Sequence, residues 1–248
     1  MPNAHNRRLL RLTGADASDF LQGLITNDIR KIDHGLVYAA ILSPQGKYLA
    51  DFFVSKEGNA LILDTDDAQT DMLAKRLTMY KLRADVTIET DPRAVSRGLG
   101  DPPNGAFTDP RNKALGWRAY DGQAGDADVD WLALNVEYAV PSAGIELTPD
   151  SYILEMGLER LNGVDFKKGC YVGQEVTARM KHKTKLKKGL AQVEITGSAP
   201  IGTDITTEDG KPAGTLFSQT PTHALAYLRF DRATGPLNAK DAQITYAP

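Results

Sequence analysis

After Lys188 the chain stops reading as a mixture of helices and strands and reads as strands alone. This switch constrains the fold more than any other feature. Residues 190–195, 213–217, 224–228 and 243–246 are short apolar or β-branched runs divided by Gly, Pro and Asp. That pattern belongs to a small antiparallel barrel or sandwich. Ahead of the switch the two periods alternate. Strands are predicted over 8–12, 37–42, 48–54, 60–64, 85–89 and 117–120, and Ser43-Pro44-Gln45-Gly46-Lys47 reads as a hairpin turn. A helix is predicted over 17–25, with Asp16 as its cap and Phe20, Leu21 and Leu24 on one face. A second spans 65–82, capped by Thr65 or Asp66, with Met72, Leu73, Leu77 and Tyr80 at three- and four-residue spacing. Residues 128–140 read as a third, stopped by Pro141, and 149–161 as a fourth, short one. Residues 91–113, rich in Pro, Gly, Asp and Asn, read as an irregular connection with room for one short helix or strand. The expected class is therefore α+β with a small C-terminal β-barrel.

With 248 residues, 42% of them apolar and 25% charged, the chain can bury a sizeable core. A net charge of −3 argues against wrapping nucleic acid, which needs a broad excess of cations. One basic run, residues 181–188, stands out in this acidic background. It reads either as a solvated linker or as a rim that attracts polyanions. The single cysteine forbids an internal disulfide and fits a reducing compartment. Neither a secretory signal nor an apolar run of membrane-spanning length is visible, so the expected location is cytoplasmic. His5, His34, His182 and His223 show no metal-ligand spacing, and no metal site is expected within the chain.

The densest chemistry lies at Lys167-Lys168-Gly169-Cys170-Tyr171-Val172-Gly173-Gln174-Glu175. Glycines permit a tight backbone and close approach of a ligand, and adjacent lysines favour a thiolate at Cys170. The plain alternative is a small buried thiol. Gln174 and Glu175 could hydrogen-bond the edge of a heterocycle, or could simply open a helix, where Glu suits the dipole. One thiol cannot hold an iron–sulfur cluster alone, but a cluster shared with a second chain or a small thiol is conceivable.

The segment 168–175 resembles the signature of the YgfZ family, folate-binding proteins related to the T-protein (aminomethyltransferase) of the glycine cleavage system. The resemblance extends in order through 20–28, 43–53, 80–86, 131–137 and 161–166. It implies a T-protein-like cloverleaf of α+β modules: a folate-binding region of two modules over 1–186, and a barrel over 187–248. It implies tetrahydrofolate, or a one-carbon derivative, as cofactor. Cys170 and Lys168 become the residues on which activity depends. Asn27, Gln45, Lys47, Tyr80, Arg83, Glu137, Gln174, Glu175 and Arg179 become the expected pocket lining. It further implies service to iron–sulfur client or assembly proteins, including tRNA-modifying enzymes. A monomer is expected, with no membrane partner and no direct binding of nucleic acid. One departure is that Glu137 is followed by Tyr138-Ala139-Val140-Pro141, where the family often has glycine. Two other readings stay open. One is a folate-dependent aminomethyltransferase or demethylase using Asp28, Asp51 or Glu137. The other is a non-enzymatic adaptor that docks through the basic run.

Overall fold

The structure is a computed structural model that describes residues 6–182 and 186–247. The chain divides into two compact units, Met1–Val129 with Glu159–Val176, and Asp130–Leu158 with Thr177–Pro248.

The first unit is built on β1 (Arg7–Thr13), α1 (Ala17–Gln22), β2 (Val37–Leu42), β3 (Tyr48–Glu57), β4 (Ala60–Asp66), α2 (Asp67–Lys81) and β5 (Thr87–Asp91). The strands form one antiparallel sheet in the order β2-β3-β4-β1-β5. Register sorts the side chains by face. Val37 stands opposite Val54, and Ala39 opposite Phe52. These four residues join Leu10, Leu12, Leu61 and Leu63 in a core closed by Leu21 of α1 and by Leu73 and Leu77 of α2. Each such aliphatic side chain contributes about 1.5–3 kcal/mol when fully buried. The alternate residues occupy the other face, where Tyr38 pairs with Phe53 and Phe53 with Asp64. That face is buried as well. A three-stranded sheet, β6 (Ser96–Gly98), β7 (Phe107–Thr108) and β8 (Trp117–Ala119), contributes the Arg118 that reaches Asp64 at 2.8 Å. Residues 91–113 thus hold two strands, each too short to impose a period on the sequence.

Three other expectations need correction. Asp16 makes no cap bond to α1. Its Oδ2 instead accepts from the Asp85 amide at 2.8 Å, while the Asp16 amide donates to the Asp85 carbonyl at 3.2 Å. Asp85 is thereby spent on this link, and β5 starts at Thr87 rather than at 85. The helix expected over 149–161 is a succession of turns. Its amides reach back by three, four and five residues in mixture: Gly157 to Leu154, Met156 to Tyr152, Leu158 to Ile153. By contrast α2 is capped as expected, with Asp66 accepting from the Ala68 amide at 3.0 Å.

The second unit holds α3 (Trp131–Glu137), shorter than its predicted span and capped by Asp130. α4 (Gln174–His182) opens within the motif, at the end of the first unit. The remaining strands are β9 (Lys188–Thr196), β10 (Asp204–Thr207), β11 (Pro212–Gln219), β12 (His223–Arg229), β13 (Leu237–Ala239) and β14 (Ala242–Thr245). They close into a barrel in the order β10-β11-β12-β9-β14-β13. Closure removes the exposed edges an open sheet must protect. Buried Glu146 accepts from the Ser142 amide at 2.8 Å and the Ser218 amide at 3.1 Å, which fastens residues 142–147 to β11. Among the described residues no helix is long and apolar enough to cross a membrane.

Candidate functional site

The motif loop is fixed to the first unit by backbone contacts that its composition makes possible. Gly173 has φ +83° and Gly46 has φ +73°. A Cβ on Gly173 would meet the Ser43 carbonyl oxygen at 2.6 Å, and one on Gly46 would meet Val176 Cβ at 2.7 Å. The Pro-Gln-Gly hairpin and the motif therefore touch through two glycines, and neither position has room for a side chain.

Upstream, the loop is stitched to the turn after α1. Thr26 Oγ1 donates to the Gly163 carbonyl at 2.6 Å, and the Asp165 amide donates to the Thr26 carbonyl at 3.0 Å. Lys31 pairs with Asp165 at 2.7 Å. Asn27 is consumed by the same arrangement. Its amide donates to the Tyr38 and Asn162 carbonyls at 2.8 and 2.7 Å, and its oxygen accepts from the Asp28 amide and from Lys31.

Lys168 is buried at 5% exposure. Its Nζ donates to the Gln22 and Ile25 carbonyls at 2.6 and 2.5 Å, at the C-terminal end of α1. A helix leaves its last carbonyls without partners, and a cation suits the negative end of the dipole. The ammonium also lies 5.0 Å from the centre of the Tyr171 ring. Burial pushes its pKa down to about 8, against the pull of Asp28 and Asp165. Two residues on, Cys170 is exposed. The loop therefore places a buried cation beneath it and a free thiol in solvent.

The expected lining residues fall into separate groups. Gln45 is exposed and Lys47 half-buried on the hairpin, whose Gly46 touches Gly173 and Val176, the residues that bracket Gln174 and Glu175 in the first turn of α4. Arg179 is exposed in the last turn of α4. Tyr80 lies in the last turn of α2 and Arg83 two residues past its end. Among the described residues no hydrogen bond links them to the motif loop. Glu137 belongs to the second unit, where with Gln192 and His223 it lines a cavity of about 590 Å³. Of the basic run, residues 183–185 lie outside the described residues.

Sequence reasoning missed a buried ionic lattice on the far face of the first sheet. Asp64 accepts from Arg7 at 2.6 Å and Arg118 at 2.8 Å. Asp109 binds Arg111 at 2.7 Å and Arg118 at 3.4 Å. Asp51 accepts the hydroxyls of Tyr48 at 2.5 Å and Tyr38 at 3.0 Å. The guanidinium carbons of Arg118, Arg111 and Arg7 stand 3.9, 4.8 and 5.6 Å from the centre of the Phe53 ring. Burial alone would raise the Asp109 pKa, but Arg111 and Arg118 outweigh it and hold it at about 2. The one available signal was Asp51 and Asp64 interrupting otherwise apolar strands.

With this geometry in hand, known proteins offer a comparison. Residues 187–248 match the model of the CAF17 C-terminal beta-barrel domain. The crystal structure of glycine cleavage system aminomethyltransferase T from Bartonella henselae superposes with a TM-score of 0.74 at 14% identity. It covers 97% of this chain and 83% of that one. The fold is thus that of the glycine-cleavage T-protein, mixed α+β with a closed C-terminal barrel. The iron–sulfur cluster assembly factor IBA57 of Mus musculus is 30% identical over 96% of this chain and 79% of its own length. The chain belongs to the IBA57 family. The human IBA57 protein is 29% identical with the same coverage, and the homologue of Mycosarcoma maydis is 30% identical over 96% of this chain and 68% of its own. This places the chain more narrowly than the YgfZ resemblance did, within the same superfamily. It also corrects the expected location. These IBA57 relatives are named as mitochondrial proteins, so a lone cysteine and the lack of a visible signal do not support a cytoplasmic assignment. A reducing interior is shared by both compartments, and cysteine content could not separate them.

Proposed function

We propose that this protein serves iron–sulfur cluster assembly, the role its IBA57 relatives are named for, and that it acts through Cys170. The observation that carries this reading is the exposed thiol on a loop held at both ends, by Lys168 against α1 and by Gly173 against the hairpin. Among the described residues no group of three or more His, Cys, Asp or Glu could hold a metal ion. A cluster needs about four ligands. Cys170 would supply one, and the others would come from a partner protein or a small thiol, so the cluster is cargo rather than a resident group. In cells lacking the protein, Cys170→Ala is expected to fail to restore iron–sulfur enzyme activity while folding normally. Full restoration by that variant would refute the role of the thiol.

Tetrahydrofolate is the ligand we propose for the same neighbourhood. The donor set there suits it in part. Gln45 and Gln174 carry amides, Glu175 a carboxylate and Lys47 an ammonium, the kinds of group that pair with a pterin edge and a glutamate tail. Asn27 does not fit, because its donors and acceptor are already used within the fold. Bound there, the folate would supply one-carbon chemistry, while the chain binds and orients it. At about one hundred times its dissociation constant it should stabilise the native state by about 2.7 kcal/mol. Gln45→Ala with Gln174→Ala should abolish that shift. A flat thermal titration of the wild-type chain to millimolar folate would remove folate from the proposal and leave the thiol reading intact.

A further inference from the structure

The C-terminal half of α2 gathers charge of one sign. From Met72 to Ala84 the chain carries Lys75, Arg76, Lys81 and Arg83 and no acidic residue, in a protein of net charge −3. Among these cations two large apolar side chains face solvent, Met79 at 75% exposure and Leu82 at 86%. Lys75 and Arg76 lie four and three residues before Met79, so they flank it on one side of the helix. A lone exposed apolar residue needs no explanation, but the backbone at Leu82 adds a second, independent observation. Leu82 has φ +45° and ψ −102°, a strained conformation that glycine adopts at little cost. The turn around it is tightly held. Lys81 Nζ donates to the Val86 carbonyl at 2.7 Å, the Ala84 amide to the Lys81 carbonyl at 2.7 Å, and the Val86 amide to the Ala84 carbonyl at 2.9 Å. The chain thus stores strain to keep a leucine outward, where it packs on almost nothing of its own.

We propose that this end of α2 is a docking surface for an acidic, amphipathic helix of a partner protein. Apolar side chains flanked by cations complement an apolar stripe flanked by carboxylates, and methionine adapts to the shape it meets. The proposal does not depend on the role of Cys170. Single-stranded nucleic acid would need exposed aromatic platforms, and Tyr80, the aromatic residue here, is half-buried. A membrane-binding helix presents a long continuous apolar face, not two residues at one end.

The test uses the full chain and two fluorescent peptides of about 18 residues. One is a helix with a leucine stripe flanked by glutamates, the other its lysine counterpart. Anisotropy should show binding of the glutamate peptide alone. Met79→Ser with Leu82→Gly should weaken it by about tenfold or more, and Lys75→Glu with Arg76→Glu should reverse the preference. Leu82→Gly alone should raise the melting temperature by about 2–4 °C while weakening binding. A purely structural leucine would give a fall. The proposal is overturned if neither peptide binds, if both bind alike, if the variants bind as the wild type does, or if Leu82→Gly lowers the melting temperature. It is equally overturned if anionic phosphatidylglycerol vesicles or single-stranded RNA bind in place of the peptide and lose binding in the same variants.

Discussion

The first unit and the barrel solve one problem in opposite ways. Each is a sheet with more surface than its own side chains can cover. The barrel closes on itself and fills its interior with small apolar groups: Ala213, Ala224, Ala226, Ala239 and Ala242 stand among Val193, Ile205, Leu216, Leu228 and Ile244. The open sheet buries one face under helices and meets its second with charge. There Asp51, Asp64 and Asp109 are locked to Arg7, Arg111, Arg118 and three tyrosines around Phe53. The contrast lies in tolerance. An apolar interior resists change of volume, whereas an ionic interior resists the loss of any one partner.

The largest expected effect follows from that difference. Asp64→Asn leaves the Arg7 and Arg118 guanidiniums buried without their shared carboxylate, and should cost about 3–5 kcal/mol. Urea unfolding, with amide hydrogen exchange followed at Leu63 and at Ala226, would measure the loss and locate it in the sheet. A loss under about 1 kcal/mol would mean that the lattice is solvated and that the two interiors do not differ in kind. The matching perturbation of the barrel is Ala226→Leu. Ala226 is wholly buried, so the added volume has nowhere to go, and about 1–3 kcal/mol should be lost. A barrel that accepts leucine without loss would show that its interior is loosely filled.

The same contrast explains what could be read in advance. The longer strands of both sheets were legible, because continuous apolar runs such as 37–42 and 48–54, buried almost throughout, stand out between turn residues. The turn chemistry around Gly46 was equally plain. The lattice was not: Asp51 and Asp64 interrupt apolar strands, but Asp64 meets Arg118 across 54 positions of sequence, and nothing local names that partner. β10, β13, β6 and β7 are too short to set a period, so tertiary pairing alone defines them. At the motif, the residue types were visible but their tasks were not. Lys168 reads as chemistry beside a thiol, yet it also closes the end of a helix that lies more than 140 positions earlier. Asn27, expected from the resemblance to line the pocket, is spent within the fold.

The smallest effect is also the one that only an ionic interior can show. Asp109 is held at about 2 in the folded chain, below its unfolded value of about 3.9. A carboxylate with a depressed folded pKa contributes stability that is fully present above the unfolded pKa and is lost as pH falls toward the folded one. From pH 7 to pH 3 the share carried by Asp109 should shrink by about 1 kcal/mol. Asp64, also held below its usual range by Arg7 and Arg118 against the penalty of burial, adds to the loss in the same direction. Asp109→Asn should therefore be less stable than the wild type at pH 7 and lose less on acidification, so that the two stability curves converge toward pH 3. Barrel variants such as Ala226→Leu remove no titrating group, and their curves should run parallel to the wild type over the same interval. Parallel curves for Asp109→Asn would mean that the aspartate titrates alike in both states. Its pairing with Arg111 would then add nothing that acid can remove.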